Sequence, residues 1–246
     1  MIDLYYWPDI PGRGEYVRLV LEAGGLKYRD VVRLPEAEGG GMPAMVAFLE
    51  GRKGYPIPFA PPFIVDDGIL VSQTALCCAH VAAQCGLAPE AEADRAFALS
   101  VAVTTADFAA EAHDTHHPIS VSLYYEDQKP EAMRRAEDFR NNRIPKFLAW
   151  YENLIENNPT DSGWLVGDRM TYADLGLFHT CRGLAYAFPN AMGEASQAAP
   201  KVQELCRTIA KLPKVIAYQG SDRALRFSTD GLFRRYPELD PASGGQ

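Results

Sequence analysis

Short apolar runs alternate with helical spacing in the first third of the chain, and helical spacing dominates the rest. Ile2 to Trp7 is rich in β-branched and aromatic residues and stops at Pro8, which predicts a buried strand. After the loop Asp9-Ile10-Pro11-Gly12-Arg13-Gly14, residues Glu15 to Ala23 place Val17, Val20 and Leu21 on one helical face and end on Gly24 and Gly25. Tyr28 to Leu34 predicts a second strand. The turn-rich stretch from Pro35 to Pro58 has room for a short helix at Ala44 to Leu49. Phe63 to Val65 and Ile69 to Val71 flank Asp67-Gly68, a strong hairpin pair. A helix opened by Ser72 or Gln73 then runs to about Gln84 and is stopped by Gly86 and Pro89. The order β-α-β-(α)-β-β-α predicts a mixed sheet with helices packed on it, its first two strands parallel because a helix crosses between them.

Beyond Ala88 the pattern is helical throughout. Glu90 to Asp114, Lys129 to Asn157 (one long amphipathic helix kinked at Pro145), Thr171 to Ala187 and Ala199 to Lys211 are the predicted helices, with no convincing strand among them. The change of character between Leu87 and Glu92 divides the chain into residues 1–86 and residues 92–246. The stretch from Ser221 onward has Gly and Pro breaks and ends in Ser-Gly-Gly-Gln, which is expected to fray.

Composition narrows the function classes. The chain has 246 residues, 47% hydrophobic and 23% charged, as an ordinary globular protein does. A formal charge of −8 argues against nucleic acid or an anionic membrane surface as the main partner, because both need basic patches. The opening Met-Ile-Asp-Leu-Tyr-Tyr-Trp-Pro has no basic stretch followed by an apolar one, and no run of about 18 apolar residues occurs. Neither a signal peptide nor a membrane span is expected. Cys77, Cys78, Cys85, Cys181 and Cys206 are odd in number and show no Cys-x-x-Cys spacing, which points to a reducing compartment and so to the cytoplasm.

Two segments carry candidate chemistry. In Tyr5-Tyr6-Trp7-Pro8 a tyrosine at a strand end lies beside a Gly/Arg loop that opens a helix, whose unpaired amides and dipole favour an anion. A tyrosine hydroxyl there could hold a thiolate. Lowering a thiol pKa by about two units takes about 2.7 kcal/mol, within reach of one charge-assisted hydrogen bond plus dipole and Arg. An ordinary strand aromatic is the alternative for both tyrosines. In the second segment Pro61 and Pro62 precede a short strand, the Asp67-Gly68 hairpin and then Gln73-Thr74 at a helix start. A cis Pro61-Pro62 bond would expose backbone to an extended peptide, and Gln73 and Thr74 with the helix amides would receive a carboxylate. A tight turn and an ordinary helix start are the alternative there.

In this order and spacing the two segments resemble the N-terminal half of the tyrosine-type cytosolic glutathione transferases (alpha, mu, pi and sigma classes). The matching features are Tyr6-Trp7, Gly12-Arg13-Gly14-Glu15, Arg18, Pro62, Asp67-Gly68 and Gln73-Thr74. A third segment, Trp164 to Phe178, is similar to the family's Leu-x-Gly-Asp and Thr-x-Ala-Asp pattern, in which Thr171 and Asp174 form a capping box. The resemblance covers roughly Ile2 to Phe188.

It implies a thioredoxin-like glutathione-binding domain, an all-α helical-bundle domain, a homodimer and a detoxifying glutathione S-transferase activity with glutathione as co-substrate. Tyr6 would stabilise the thiolate, with Arg13 or the neighbouring Tyr5 as possible support. Trp7, Gln73 and Thr74 would bind glutathione, the last two at its γ-glutamyl end, and Lys53 or Arg52 would meet the glycyl carboxylate. Pro61 and Pro62 would flank the cysteinyl part, where Pro61 offers a carbonyl but no N–H. Asp107 would reach the γ-glutamyl amine across a dimer interface. Isomerase, peroxidase or ether-cleaving chemistry, and glutathione or ligand binding without catalysis, are the alternatives within the same fold.

His113, Asp114, His116 and His117 fall close together, and His113 with His116 or His117 has a helical metal-ligand spacing. No fourth ligand lies near in sequence, so no metal is expected. His113 and His117 are instead read, with Tyr124, as the wall of the pocket for a small hydrophobic electrophile, where an imidazole can polarise a substrate oxygen.

Overall fold

The computed structural model describes residues 1–242; the fraying expected at Ser243 to Gln246 lies outside them. Four strands, β1 (Ile2–Tyr5), β2 (Tyr28–Asp30), β3 (Phe63–Asp66) and β4 (Ile69–Ser72), form one sheet in the order β2-β1-β3-β4. β1 and β2 are parallel and joined by α1 (Gly14–Gly24), while β3 runs antiparallel to β1 and β4. Both faces of β1 are covered, which is why its sequence is nearly all apolar. Ile2 and Leu4 pack with Val17 and Leu21 of α1 and Val81 of α3 (Thr74–Ala82); Tyr5 points the other way, to Phe63 and to Met45 and Phe48 of α2 (Gly41–Leu49).

The second strand is shorter than predicted. After Asp30 the chain enters a 3₁₀ turn at Val31–Arg33 that buries both Val31 and Val32 against α2. Adjacent strand residues point to opposite faces, so two consecutive inward valines are incompatible with a continued strand.

The remaining elements are helical: α4 (Glu92–Asp114), α5 (Lys129–Asp138), α6 (Ile144–Glu156), α7 (Tyr172–Ala187), α8 (Pro189–Ala195), α9 (Pro200–Ala210) and α10 (Pro213–Gln219). The single helix predicted from Lys129 to Asn157 is two helices joined by a π turn at Phe139–Arg143. Pro145 has no N–H to continue the ladder, and the wider turn just before it accommodates the missing bond. Distant carboxylates finish two helix starts. Asp240 accepts from the amides of Asn190 (2.8 Å) and Ala191 (3.1 Å) at α8, and Glu152 of α6 accepts from Lys201 and Val202 (3.0 Å each) at α9.

Helix α7 is the buried centre of the helical part, packed on α4, α9 and α1, so one apolar core runs from the sheet into the bundle. The predicted capping box is present at its start: Thr171 accepts from the amide of Ala173, and Asp174 accepts from the amide of Thr171. No helix among the described residues is long and apolar enough to cross a membrane.

Candidate functional site

The two tyrosines after β1 part company. The Tyr5 ring stacks on Phe63 (centroids 4.7 Å, planes 11° apart) and tilts against Phe48, which ties it to the packing on the α2 face. Tyr6 lies beneath the loop that opens α1, and its Oη accepts a hydrogen bond of 2.8 Å from the Arg13 amide. The loop sits so close that a Cβ on Gly12 would fall 2.2 Å from Tyr6 Oη, and one on Gly14 2.5 Å from the ring. Gly12 also holds φ at +43°, so glycine is required there on two grounds. The Gly-Arg-Gly sequence is thus the imprint of the Tyr6 ring on the loop.

Burial pushes the Tyr6 hydroxyl above its ordinary pKa, against the opposing pull of the Arg13 amide and guanidinium and of Arg18. Tyr6 therefore keeps its proton near neutrality. With the Arg13 amide already on one lone pair, that proton is free to be donated to an anion. Arg18 holds the loop from below: fully buried, it donates through Nε to Asp30 (2.7 Å) and through a terminal nitrogen to the Pro11 carbonyl (3.4 Å). Its guanidinium lies 5.8 Å from the Tyr6 ring centroid.

In the second segment the Pro61-Pro62 bond is cis. Gln73 is exposed at φ +74°, and its side chain does not cap α3, which begins at Thr74. Arg13, Tyr16, Thr74 and Ala106 line one narrow cleft, so the structure brings together the first and second motif segments against α4. Trp7 is partly exposed, as Arg13 is, and Asp107 is exposed one residue beyond Ala106. Arg52 and Lys53 are exposed and border a different hollow, beside Pro43 and Ala44 of α2; Arg52 is paired with Glu50 at 2.6 Å.

The histidines gather at the C-terminal end of α4. The rings of His113 and His117 are stacked with centroids 5.0 Å apart, and His116 stands edge-on to both at 4.8 and 4.9 Å. Burial pushes His113 down to about 4, with His117, Arg13 and Arg234 adding to the fall, and His116 down to about 3, with His113, Arg234 and His117 adding to it. All three imidazoles are neutral at physiological pH. Tyr124 is 79% exposed, just before the 3₁₀ turn at Tyr125–Gln128; its neighbour Tyr125 packs inward instead, stacked on Tyr236 at 3.7 Å.

Two contributors escaped the sequence reading. Arg18 was legible as part of a motif, but not as the clamp between Pro11 and Asp30. His179 of α7 carried no signal in Leu-Phe-His-Thr-Cys. It is buried edge-on to Tyr16 (4.7 Å) and near the Gly12 backbone, and burial pushes it down to about 3. Burial raises the thiols of Cys77, Cys78 and Cys85, and Cys181 is raised first by its contact with Cys206 and then by burial, the reverse of what a reactive thiolate needs.

Comparison with known proteins gives concordant results. Residues 113–222 match the family model for the glutathione S-transferase C-terminal domain. A glutathione S-transferase of Plasmodium yoelii yoelii is 22% identical over 209 residues, covering 84% of this chain and 88% of its own. The fold matches prostaglandin synthase D of Nilaparvata lugens (TM-score 0.67, 16% identity, 92% of this chain and 100% of that one). It also matches a monomeric glutathione S-transferase from the hookworm Necator americanus (TM-score 0.65, 19% identity, 92% and 99% covered).

Proposed function

The chain belongs to the glutathione S-transferase family, and from that premise we propose that it is a tyrosine-type transferase in which Tyr6 holds the glutathione sulfur as thiolate for attack on a hydrophobic electrophile. The observation that carries this reading is the hydrogen bond from the Arg13 amide to Tyr6 Oη, which leaves the hydroxyl proton to be donated. A thiolate so held keeps its nucleophilicity near neutral pH, and proximity to the electrophile supplies the rest of the rate.

Glutathione lies extended along residues 1–86, in this reading, with its cysteinyl part by Trp7 and the cis Pro61-Pro62 turn. Gln73, Thr74 and the first amides of α3 take the γ-glutamyl carboxylate. Lys53 takes the glycyl carboxylate, with Arg52 as the alternative, although the Glu50 pairing favours Lys53. The electrophile lies against residues 92–242, with His113 and His117 at one end of its pocket and the exposed Tyr124 proposed at its margin. A cytoplasmic homodimer in which Asp107 reaches the partner's glutathione completes the proposal.

Calorimetric titration with reduced glutathione tests it. Binding is expected with Kd between roughly 1 μM and 1 mM, the usual range of substrate constants. Gln73→Ala is expected to weaken it roughly tenfold or more, as befits a hydrogen bond to a charged group. No heat of binding at millimolar glutathione would end the functional reading.

A further inference from the structure

Thiolate stabilisation by Tyr6 makes no use of the ligand atoms that the histidine cluster brings together. We propose that His113, His116 and His117 form a binding site for zinc or a chemically similar late first-row divalent ion, with one coordination position left to water or another small ligand. The proposal is independent of the glutathione reading.

One ring nitrogen from each residue lies within 4.8 Å of the other two. A tetrahedral zinc with bonds of about 2.0–2.1 Å sets its ligand nitrogens roughly 3.3 Å apart, so the rings must draw together by roughly 1.5 Å. His113 and His117 are only partly buried and sit one helical turn apart, so rotation about their side-chain bonds can supply that movement. His116 is the fixed member. It is 1% exposed, and its Nε2 lies 3.1 Å from the Leu232 carbonyl, to which it can only donate. The lone pair therefore sits on Nδ1, which is buried and has no partner among the described residues. A backbone carbonyl that fixes the tautomer and orientation of an imidazole is the usual support of a metal-binding histidine. A buried unpaired acceptor is costly, and a metal ion would satisfy it.

The surroundings of His117 are compatible with this. The Gln128 amide nitrogen lies 3.2 Å from His117 Nδ1 but also within 3.4 Å of the carbonyls of Ser120, Leu123 and Tyr124, more acceptors than it has hydrogens. His117 also lies beside the Ser120 and Leu123 carbonyls, so one of its ring nitrogens can carry the proton toward them and leave the other to a metal ion. The nearby Arg234 works against a cation, but its guanidinium is turned to the carbonyls of Gly231 (3.0 Å) and Asp230 (3.4 Å). Asp114, 3.8 Å from His113, offsets part of that charge. A ligand set of three neutral nitrogens selects zinc, cobalt, nickel or copper over magnesium and calcium, which prefer oxygen.

The test uses untagged, full-length protein, freed of metal and kept reduced, titrated with Co²⁺ by absorption and with Zn²⁺ by calorimetry. One equivalent of cobalt should bind with a four-coordinate spectrum lacking a thiolate charge-transfer band. His113→Ala/His117→Ala, which alters only partly exposed rings, should keep the far-ultraviolet dichroism and lower affinity on the order of 100-fold; His116→Ala should lower it on the order of tenfold or more. Three results would each overturn the proposal: no uptake by wild type at micromolar ion, undiminished binding by the folded double variant, or a thiolate band that assigns the metal to cysteine.

Discussion

Tyr6→Phe is expected to lower kcat/KM for conjugation of a dinitrobenzene electrophile by about 10- to 100-fold, because a hydrogen bond to a charged group contributes about 1.5–3 kcal/mol and each 1.4 kcal/mol is a factor of ten. The substitution keeps the ring that fills the space under Gly12 and Gly14, so the loop should hold its shape. What is lost is the acceptor of the Arg13 amide and, in the proposed complex, the donor to sulfur. The bound thiol should then ionise about one to two pH units higher, visible as a shift in the thiolate absorbance titration. If that shift is the whole effect, activity lost at neutral pH returns as pH rises toward the new thiol pKa, and KM for glutathione changes little. Tyr5→Phe is the matched control. Its ring packs on Phe63 and Phe48, so turnover should stay within about twofold of wild type, the range of a change far from the reacting atoms. Full activity in Tyr6→Phe would move thiolate stabilisation to Arg13 or to a hydroxyl elsewhere.

Much of this architecture is legible in the chain because its signals are local. The Asp67-Gly68 pair marks the β3-β4 hairpin, Gly24-Gly25 closes α1, and Thr171 with Asp174 opens α7, each through a rule that spans a few residues. The alternation that separates Tyr5 from Tyr6 is equally local. What escaped depends on distant partners. α8 starts at Pro189 under the carboxylate of Asp240, and no feature near Pro189 announces that acceptor. The early end of β2 reflects the burial of Val31 and Val32 under α2, a demand that appears only once α2 is docked. The histidines show both limits. Their spacing was readable, but the Leu232 carbonyl that fixes His116 comes from the far end of the chain, and without it three imidazoles on a helix end carry little meaning.

Asp174→Ala is expected to cost more in stability than Tyr6→Phe, although Asp174 touches no part of the Tyr6 loop. Its carboxylate is fully buried and accepts from the Leu165 amide (2.9 Å), the Thr171 amide (2.7 Å) and the Thr171 hydroxyl (3.0 Å). Burial pushes its pKa up to about 6, so well above that pH it is ionised and accepts from all three. Alanine would strand the two buried amides at about 1–3 kcal/mol each, a total of roughly 3–5 kcal/mol with the hydroxyl included. Against a domain stability of about 5–15 kcal/mol that is a large fraction, and at about 2–4 °C per kcal/mol the melting temperature should fall by roughly 10 °C. Thr171→Ala, which removes one capping oxygen, should cost only about 1 kcal/mol. A melting temperature for Asp174→Ala within a degree or two of wild type would show that water or a relaxed backbone replaces the carboxylate. The loss should also reach the site by a route distinct from Tyr6→Phe. α7 carries Thr180, bonded to Tyr16 of α1 at 2.7 Å, and His179 beside the Gly12 backbone, so a loosened α7 unseats the loop that holds Tyr6. Activity in Asp174→Ala should therefore fall with the folded fraction as temperature rises, while the thiol pKa measured on the molecules still folded stays that of wild type.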